Sequence, residues 1–384
     1  MLRETTGILD DLIAFPTVSA ESNLEMIDYL ANRLDECGAK VDVMSDDSGT
    51  KANLFATLGP EEPGGIVLSG HSDVVPVTDQ NWDSDPFMMT ERDGLLFGRG
   101  TCDMKGFIAA TIATAPLFEQ HVQERPVHFA FTYDEETGCI GAGHLARALK
   151  ERAIKPEIAI IGEPTSMQVI EGHKGCYEYC TRFHGLEGHG SHPEVGVNAV
   201  EYAVRYVTKL LELRGKLRDM APADSLFEPP WTTLNVGALN GGSVPNVIAP
   251  KAQVDWEMRP VQSGDARVVK DAISDYCENV LLPEMLAVYP EAKIETEIIG
   301  EVAGLIPQDE NEARKIVSEL TGANTAGLVP FGTEAGIFQS LGMDVVVCGP
   351  GSIEQAHKAN EYLSLDQLAQ CLTMLEKMAH RLSD

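Results

Sequence analysis

No stretch of the 384-residue chain approaches the run of about 18 uninterrupted apolar residues that a membrane-spanning helix needs. The opening Met1-Leu-Arg-Glu lacks the charged-then-apolar layout of a secretory leader, so a cytoplasmic protein is expected. Thiol pairs are missing too. The eight cysteines are scattered, the nearest two being Cys176 and Cys180, and none forms Cys-x-x-Cys. They read as reduced and buried, although Cys102 beside Asp103 is placed to be oxidation-sensitive. Positive charge is scarce: 29 Lys and Arg stand against 59 Asp and Glu, a formal net charge of −30. That balance argues against nucleic acid or an anionic membrane as a partner. There is no internal repeat and no low-complexity tract.

What the chain does have is imidazole and carboxylate at the ends of apolar runs. Ile66 to Gly70 leads to His71 and Asp73. Val127 to Tyr133 leads to Asp134-Glu135-Glu136, Ile158 to Ile161 to Glu163, and Val345 to Cys348 to a Gly-Pro-Gly loop and His357. Asp103 precedes a helix expected over Met104 to Phe118. Each run reads as a strand, and open α/β sheets bind ligands beyond the carboxyl ends of their strands, where distant loops converge.

That donor set suits a divalent ion such as zinc, cobalt or manganese. One ion cannot use so many ligands, but two ions about 3.5–4 Å apart can when a carboxylate bridges them. Asp103 is the natural bridge, with His71 and Glu163 on one ion and Glu136 and His357 on the other. Glu135 is then left as general base on the attacking water. Asp73, on the same side of an extended chain as His71, would orient its imidazole. Singly, a His-x-Asp or an Asp before a helix is more often a hydrogen-bonded turn or an N-cap, and paired glutamates are usually a solvated face. Jointly they are not, because ending a buried strand with two carboxylates leaves charge unmet unless a cation meets it.

The length implies two domains. All six proposed ligands and base fall before residue 164 or after residue 330, so the middle of the chain reads as an insertion. From Tyr177 it runs strand, helix (Asn198 to Arg214), strands near Thr233 to Leu239 and Ala252 to Arg259, helix (Asp265 to Leu282), and a strand near Ile294 to Ile299. That is the βαββαβ order of a ferredoxin-like unit. Asp219 to Pro230 reads as a loop within it. The expected architecture is α/β: a metallohydrolase catalytic domain with mixed sheet and flanking helices (1–176 and 302–384), plus an inserted ferredoxin-like α+β lid and dimerisation domain (177–301).

The chain resembles the M20 metallopeptidase and deacylase family over nearly its whole length. The likeness is carried by Ser-Gly-His71-Ser-Asp73-Val-Val-Pro-Val, Gly-Arg-Gly-Thr-Cys-Asp103-Met-Lys-Gly, Asp134-Glu135-Glu136-Thr-Gly, Gly-Glu163-Pro-Thr and the late His357. It implies a metal-dependent amide hydrolase acting on a small N-acyl amino acid, with two divalent ions, zinc or cobalt. It also implies a cis bond between Asp103 and Met104, and a homodimer in which His189 of the lid crosses to the other subunit to stabilise the oxyanion. His192, in the same Gly-His-Gly-Ser-His-Pro turn, is a weaker candidate. Asn246 and Arg259 resemble contacts to the substrate carboxylate, with a turn cap or a surface ion pair as the alternatives.

Gly332-Thr-Glu-Ala-Gly336 and the stretch Cys348 to Tyr362 carry the part of the likeness that points to a substrate, N2-acetyl-L-ornithine. It would be cleaved to acetate and L-ornithine in arginine synthesis. Glu334 either pairs with the side-chain ammonium of that substrate or holds its own loop. Succinyl-diaminopimelate, a dipeptide or another acylated amino acid would need the same metal residues and a different pocket. A catalytically silent binding or scaffold module is disfavoured, since the full set of ligands and base is present.

Overall fold

Ile66–His71 and Val127–Thr132 are buried at every position, as continuous apolar runs must be when both faces of a sheet are covered. The computed structural model describes residues 1–60, 62–122, 124–152 and 154–382. By its contacts the chain divides into two compact units, residues 1–172 with 307–329 and 333–384, and residues 173–306 with 330–332.

The first unit is built on an eight-stranded mixed sheet. Its order is Lys40–Ser45, Ala52–Leu58, Val127–Thr132, Ile66–His71, Ile158–Pro164, Asp344–Gly349, Ile170–His173 and Gly327–Val329. The four strands from Val127–Thr132 to Asp344–Gly349 run parallel. Their carboxyl ends therefore lie along one edge of the sheet, and those ends are Thr132, His71, Glu163-Pro164 and Gly349. Antiparallel strands on both sides complete the sheet.

Gly106–His121 is apolar nearly all round, which a helix tolerates only when enclosed. It packs in the core against the helices Leu2–Ile13 and Leu365–Arg381. The expected start at Met104 is two residues early. Asp103 and Met104 have non-helical dihedrals, within an irregular turn over Thr101–Lys105, and the bond between them is cis. No side chain caps the helix, so Asp103 is not spent as an N-cap.

The second unit has a four-stranded antiparallel sheet in the order Thr233–Gly241, Lys251–Arg259, Cys176–His184 and Lys293–Val302. The helix Ala199–Asp219 starts on Asn198, whose side chain accepts from the Val200 N–H at 3.1 Å. The other helical segment, Ser263–Tyr276, passes through a wide turn, Cys277–Leu281, into the short helix Leu282–Val288. A separate core fills this unit, centred on Phe183, Tyr206 and Trp256. No helix among the described residues is long and apolar enough to cross a membrane.

Gly349 ends the strand Asp344–Gly349 directly against its parallel neighbour Ile158–Pro164. A Cβ there would stand 1.9 Å from the main-chain oxygen of Gly162, next to Glu163. Gly349→Ala should cost about 1–3 kcal/mol by overpacking and lower the thermal midpoint by several degrees. Gly143→Ala, on a helix with nothing within 4 Å of the added carbon, should not destabilise. Equal midpoints for wild type and Gly349→Ala in calorimetry would show that the strands can part freely.

Candidate active site

The carboxyl ends of the parallel strands deliver the candidate residues to one place. His71 closes its strand and points Nε2 at Asp103 Oδ1, 3.0 Å away, and at Glu163 Oε1, 3.7 Å away. Its other nitrogen, Nδ1, lies 2.9 Å from the main-chain oxygen of Asp73. A proton on Nδ1 donated to that oxygen turns Nε2 to the carboxylates, where its lone pair would serve a cation once the Nε2 proton leaves. On the opposite side, His357 Nε2 lies 3.2 Å from Asp103 Oδ2 and 3.1 Å from Glu136 Oε2. Asp103 thus turns one oxygen toward each imidazole. Asp134 and His357 both have left-handed backbones, at φ 53° and 61°, where loops bend sharply to present these side chains.

Two triads lie with their ligand atoms within 4.8 Å of one another, His71 with Asp103 and Glu136, and His71 with Glu135 and Glu163. Glu163 Oε1 is buried and has no hydrogen-bond partner among the described residues. A carboxylate oxygen enclosed without a donor is costly, and a divalent cation is the partner that such a donor set fits.

The electrostatics lead to the same partner. Burial raises Glu163 well above the usual carboxylate range against the relief from His71, with Asp103, Glu135 and Glu136 adding to the rise. Burial pushes Glu135 up to about 8, with Glu136, Asp73 and Asp103 adding to the rise. Glu136 is also raised, by burial and by Asp103. Burial pulls down on the His71 imidazolium, but Glu163 and Asp103 together hold it well above its ordinary value. His357 is raised to about 10, chiefly by its bonds to Asp103 and Glu136. Asp103 goes the other way: burial opposes its charge, yet the bonds from His357 and His71 keep it ionised. Apart from Asp103, these groups all favour their protonated forms, as expected where negative charge is crowded and buried.

Asp73 is placed differently from the expectation. Its carboxylate stands 3.7 Å from His71 Nδ1, and the closer contact comes from its main chain. The carboxylate instead accepts the main-chain N–H groups of Glu135 at 3.0 Å and Glu136 at 3.4 Å, and the Ser19 hydroxyl at 2.6 Å. It organises the turn that carries both glutamates. Lys51 supports the same turn by bonding Asp134 and the Ser19 carbonyl.

Glu334 is 1% exposed. Oε1 accepts from the Ser69 hydroxyl at 2.5 Å and Oε2 from the Thr132 hydroxyl at 2.7 Å. Both oxygens are engaged by strand hydroxyls, which is the geometry of the loop-holding alternative and lends the substrate pairing no support.

The remaining candidates belong to the second unit. His189 is exposed on the short strand Gly188–His189, paired with Val247–Ile248, and its Nδ1 lies 2.7 Å from the Ser191 hydroxyl. Asn246 is exposed beside it, accepting the Gly190 N–H through its main-chain oxygen at 2.8 Å. His192 follows in the same turn, exposed, its N–H donating to the His189 oxygen at 2.9 Å. Arg259 donates through Nε and Nη2 to Glu257, at 3.0 and 2.7 Å.

The raised groups fix a sign. Glu135, Glu136, Glu163, His71 and His357 all hold protons more tightly than ordinary side chains, so a cation must displace protons to enter at neutral pH. Titrating zinc into metal-free protein should release protons, and apparent affinity should rise as pH rises. Calorimetry in buffers of different ionisation enthalpy reads this directly. Proton uptake, or affinity independent of pH from 6 to 8, would contradict it.

Comparison with known proteins agrees with this geometry. Residues 67–381 match the model of peptidase family M20/M25/M40. Acetylornithine deacetylase of Shigella sonnei is 35% identical over 359 residues, covering 92% of this chain and 91% of that protein. The same enzyme of Proteus mirabilis is 36% identical, covering 92% and 90%. Among solved structures, an M20 family metallo-carboxypeptidase from Sulfolobus solfataricus superposes with a TM-score of 0.77 at 16% identity, covering 99% of both chains. A Bacillus subtilis protein described as a dinuclear metal-binding peptidase from M20 family superposes with a TM-score of 0.63 at 16% identity, covering 99% and 98%. The chain belongs to peptidase family M20/M25/M40 and is an amide hydrolase of that family.

Proposed function

We propose that the protein hydrolyses the amide of N2-acetyl-L-ornithine, giving acetate and L-ornithine, with two divalent cations, zinc or cobalt. The observation that carries the metal reading is Asp103, one oxygen toward His71 and the other toward His357. His71 and Glu163 would hold one ion, Glu136 and His357 the other, and Asp103 both. When bound, the ions would polarise the acyl carbonyl and acidify water. The choice of substrate rests on the 35–36% identity to acetylornithine deacetylases over most of the chain, since Glu334 gives it no support. In that setting the protein takes part in arginine synthesis in the cytoplasm.

Glu135 is the group this chain supplies to move protons. It shares a turn with Glu136 but touches neither imidazole among the described contacts, while the Cys139 thiol donates to its Oε1 at 3.4 Å. It takes the proton from attacking water and returns it to the amine nitrogen as the carbon–nitrogen bond breaks. Asp73 holds its main chain during both transfers. His189 of the partner subunit supplies the oxyanion donor, with the second unit acting as a lid and dimerisation domain. Two features favour this: an exposed imidazole with Nδ1 already engaged by Ser191, and an exposed outer strand bearing Ile298 and Ile299. Open edges of that kind favour strand pairing.

The test for activity is acetate release from N2-acetylornithine by zinc- or cobalt-loaded protein, with succinyl-diaminopimelate, a dipeptide and other acylated amino acids as comparators. Faster turnover of a comparator would move the substrate assignment. Glu135→Gln should keep near-normal metal content and lose at least about a hundredfold in kcat. Glu136→Ala should lose metal instead. Equal metal loss in both variants would reverse the division of roles.

The trans arrangement has its own check. Inactive His189→Ala and inactive Glu135→Ala subunits, mixed and exchanged, should regain part of the activity, because one hybrid site receives both an intact base and an intact donor. Exchange without recovery would place His189 outside the other subunit's site.

A further inference from the structure

The cluster is tied together from behind by side chains that do not belong to it. Glu361 is 1% exposed and lies on the loop that carries His357. Its Oε1 accepts the main-chain N–H groups of Cys102 at 2.9 Å and Asp103 at 3.1 Å. Its Oε2 accepts from Arg99 Nη1 at 2.6 Å. Arg99, likewise 1% exposed, donates through Nη2 to Gln80 Oε1 at 2.7 Å and through Nη1 to the Lys358 main-chain oxygen at 3.3 Å. Gln80 Nε2 then donates to the main-chain oxygen of His357 at 3.0 Å. The bonds form a circuit from the backbone of Asp103, through Glu361, Arg99 and Gln80, to the backbone of His357.

A buried ion pair is a poor device for stability alone, because desolvation offsets most of its attraction. Its directed bonds are another matter. Cys102 and Asp103 lie at the start of the irregular turn Thr101–Lys105, where the backbone leaves helical geometry at Asp103, and Glu361 accepts both of their N–H groups. We propose that the Arg99–Glu361 pair is a positioning clamp. It fixes Asp103 relative to His357 and so sets cation affinity at the cluster. This rests on reading the cluster as a metal centre.

The circuit predicts graded effects. Glu361 acts on Asp103, which both ions would share, so loosening it should weaken both binding steps. Within the cluster Gln80 bonds only the His357 main chain, and its other bond is to Arg99, which Glu361 and the Lys358 oxygen hold as well, so its loss should weaken one step. The probe is cobalt, titrated into metal-free protein and followed by its visible absorption and by competition with a chromophoric chelator. Wild type should bind two ions in separable steps. Glu361→Gln, which keeps the volume but turns an amide toward Arg99, should raise both dissociation constants by about 10–100-fold and alter the cobalt bands. Gln80→Ala should raise one constant and leave the other unchanged. A merely structural role would lower the melting temperature and leave the cobalt spectrum of the folded protein unaltered.

If Glu361→Gln does not fold, the part-exposed Gln80 still decides, and a selective loss in Gln80→Ala supports the clamp. No cobalt binding by wild type would overturn both the metal reading and the clamp. Normal wild-type binding, with wild-type constants and spectra in both variants, or with equal loss at both steps in Gln80→Ala, would overturn the clamp alone.

Discussion

Negative charge crowded at the carboxyl ends of parallel strands is the constraint on which the rest of this structure depends. Asp103, Glu135, Glu136 and Glu163 crowd around His71 and His357 with few donors among them, and Glu163 Oε1 has no hydrogen-bond partner among the described residues. Burying such a group is tolerable only when counter-charge meets it. The raised carboxyls and imidazoles favour their protonated forms, one way in which that charge is met. Divalent cations would meet it better, because each ion neutralises several oxygens at once and the ligand set is already assembled.

The fold supplies that crowding through parallel strand direction. Four strands running the same way place His71, the Glu135–Glu136 turn, Glu163 and the approach to His357 along one edge. The supports lie around it: Asp73 under the glutamate turn, Glu334 bonded to Ser69 and Thr132 of adjacent strands, and Glu361 against the backbone of Asp103. Each supporting carboxylate accepts two or more hydrogen bonds and is thereby fixed. Of the carboxylates proposed for cations, Glu136 meets His357, Glu163 Oε1 has no hydrogen-bond partner among the described residues, and the partners of Asp103 are the two imidazoles themselves. That difference separates the acids that hold the site from the acids that work in it, and burial alone does not.

Much was legible in the sequence because the local signals are strong. Continuous apolar runs ending in His or Glu identify buried strands with functional termini, and the order of elements from Cys176 to Val302 sets out a second unit with its own helices and sheet. Glu334 was not legible. A Gly-flanked glutamate reads equally as a ligand contact or a loop support, and only the hydroxyls of Ser69 and Thr132, far away in sequence, decide it. Asp73 was half legible: its spacing from His71 predicted contact, but the turn it holds comes from another strand. Arg99 and Glu361 were invisible as a pair. They stand 262 residues apart, and no local pattern couples positions at that distance.

The sequence by itself determined which side chains end which strands, because periodicity and apolar runs are properties of neighbouring residues. It also determined membership of the family, because the motifs are contiguous. Only the tertiary structure decided which oxygen faces which imidazole, which acids are bonded to hydroxyls and amides, and which one is left without a donor. Those are consequences of sheet order and loop closure, and they arise only when strands distant in the chain become neighbours.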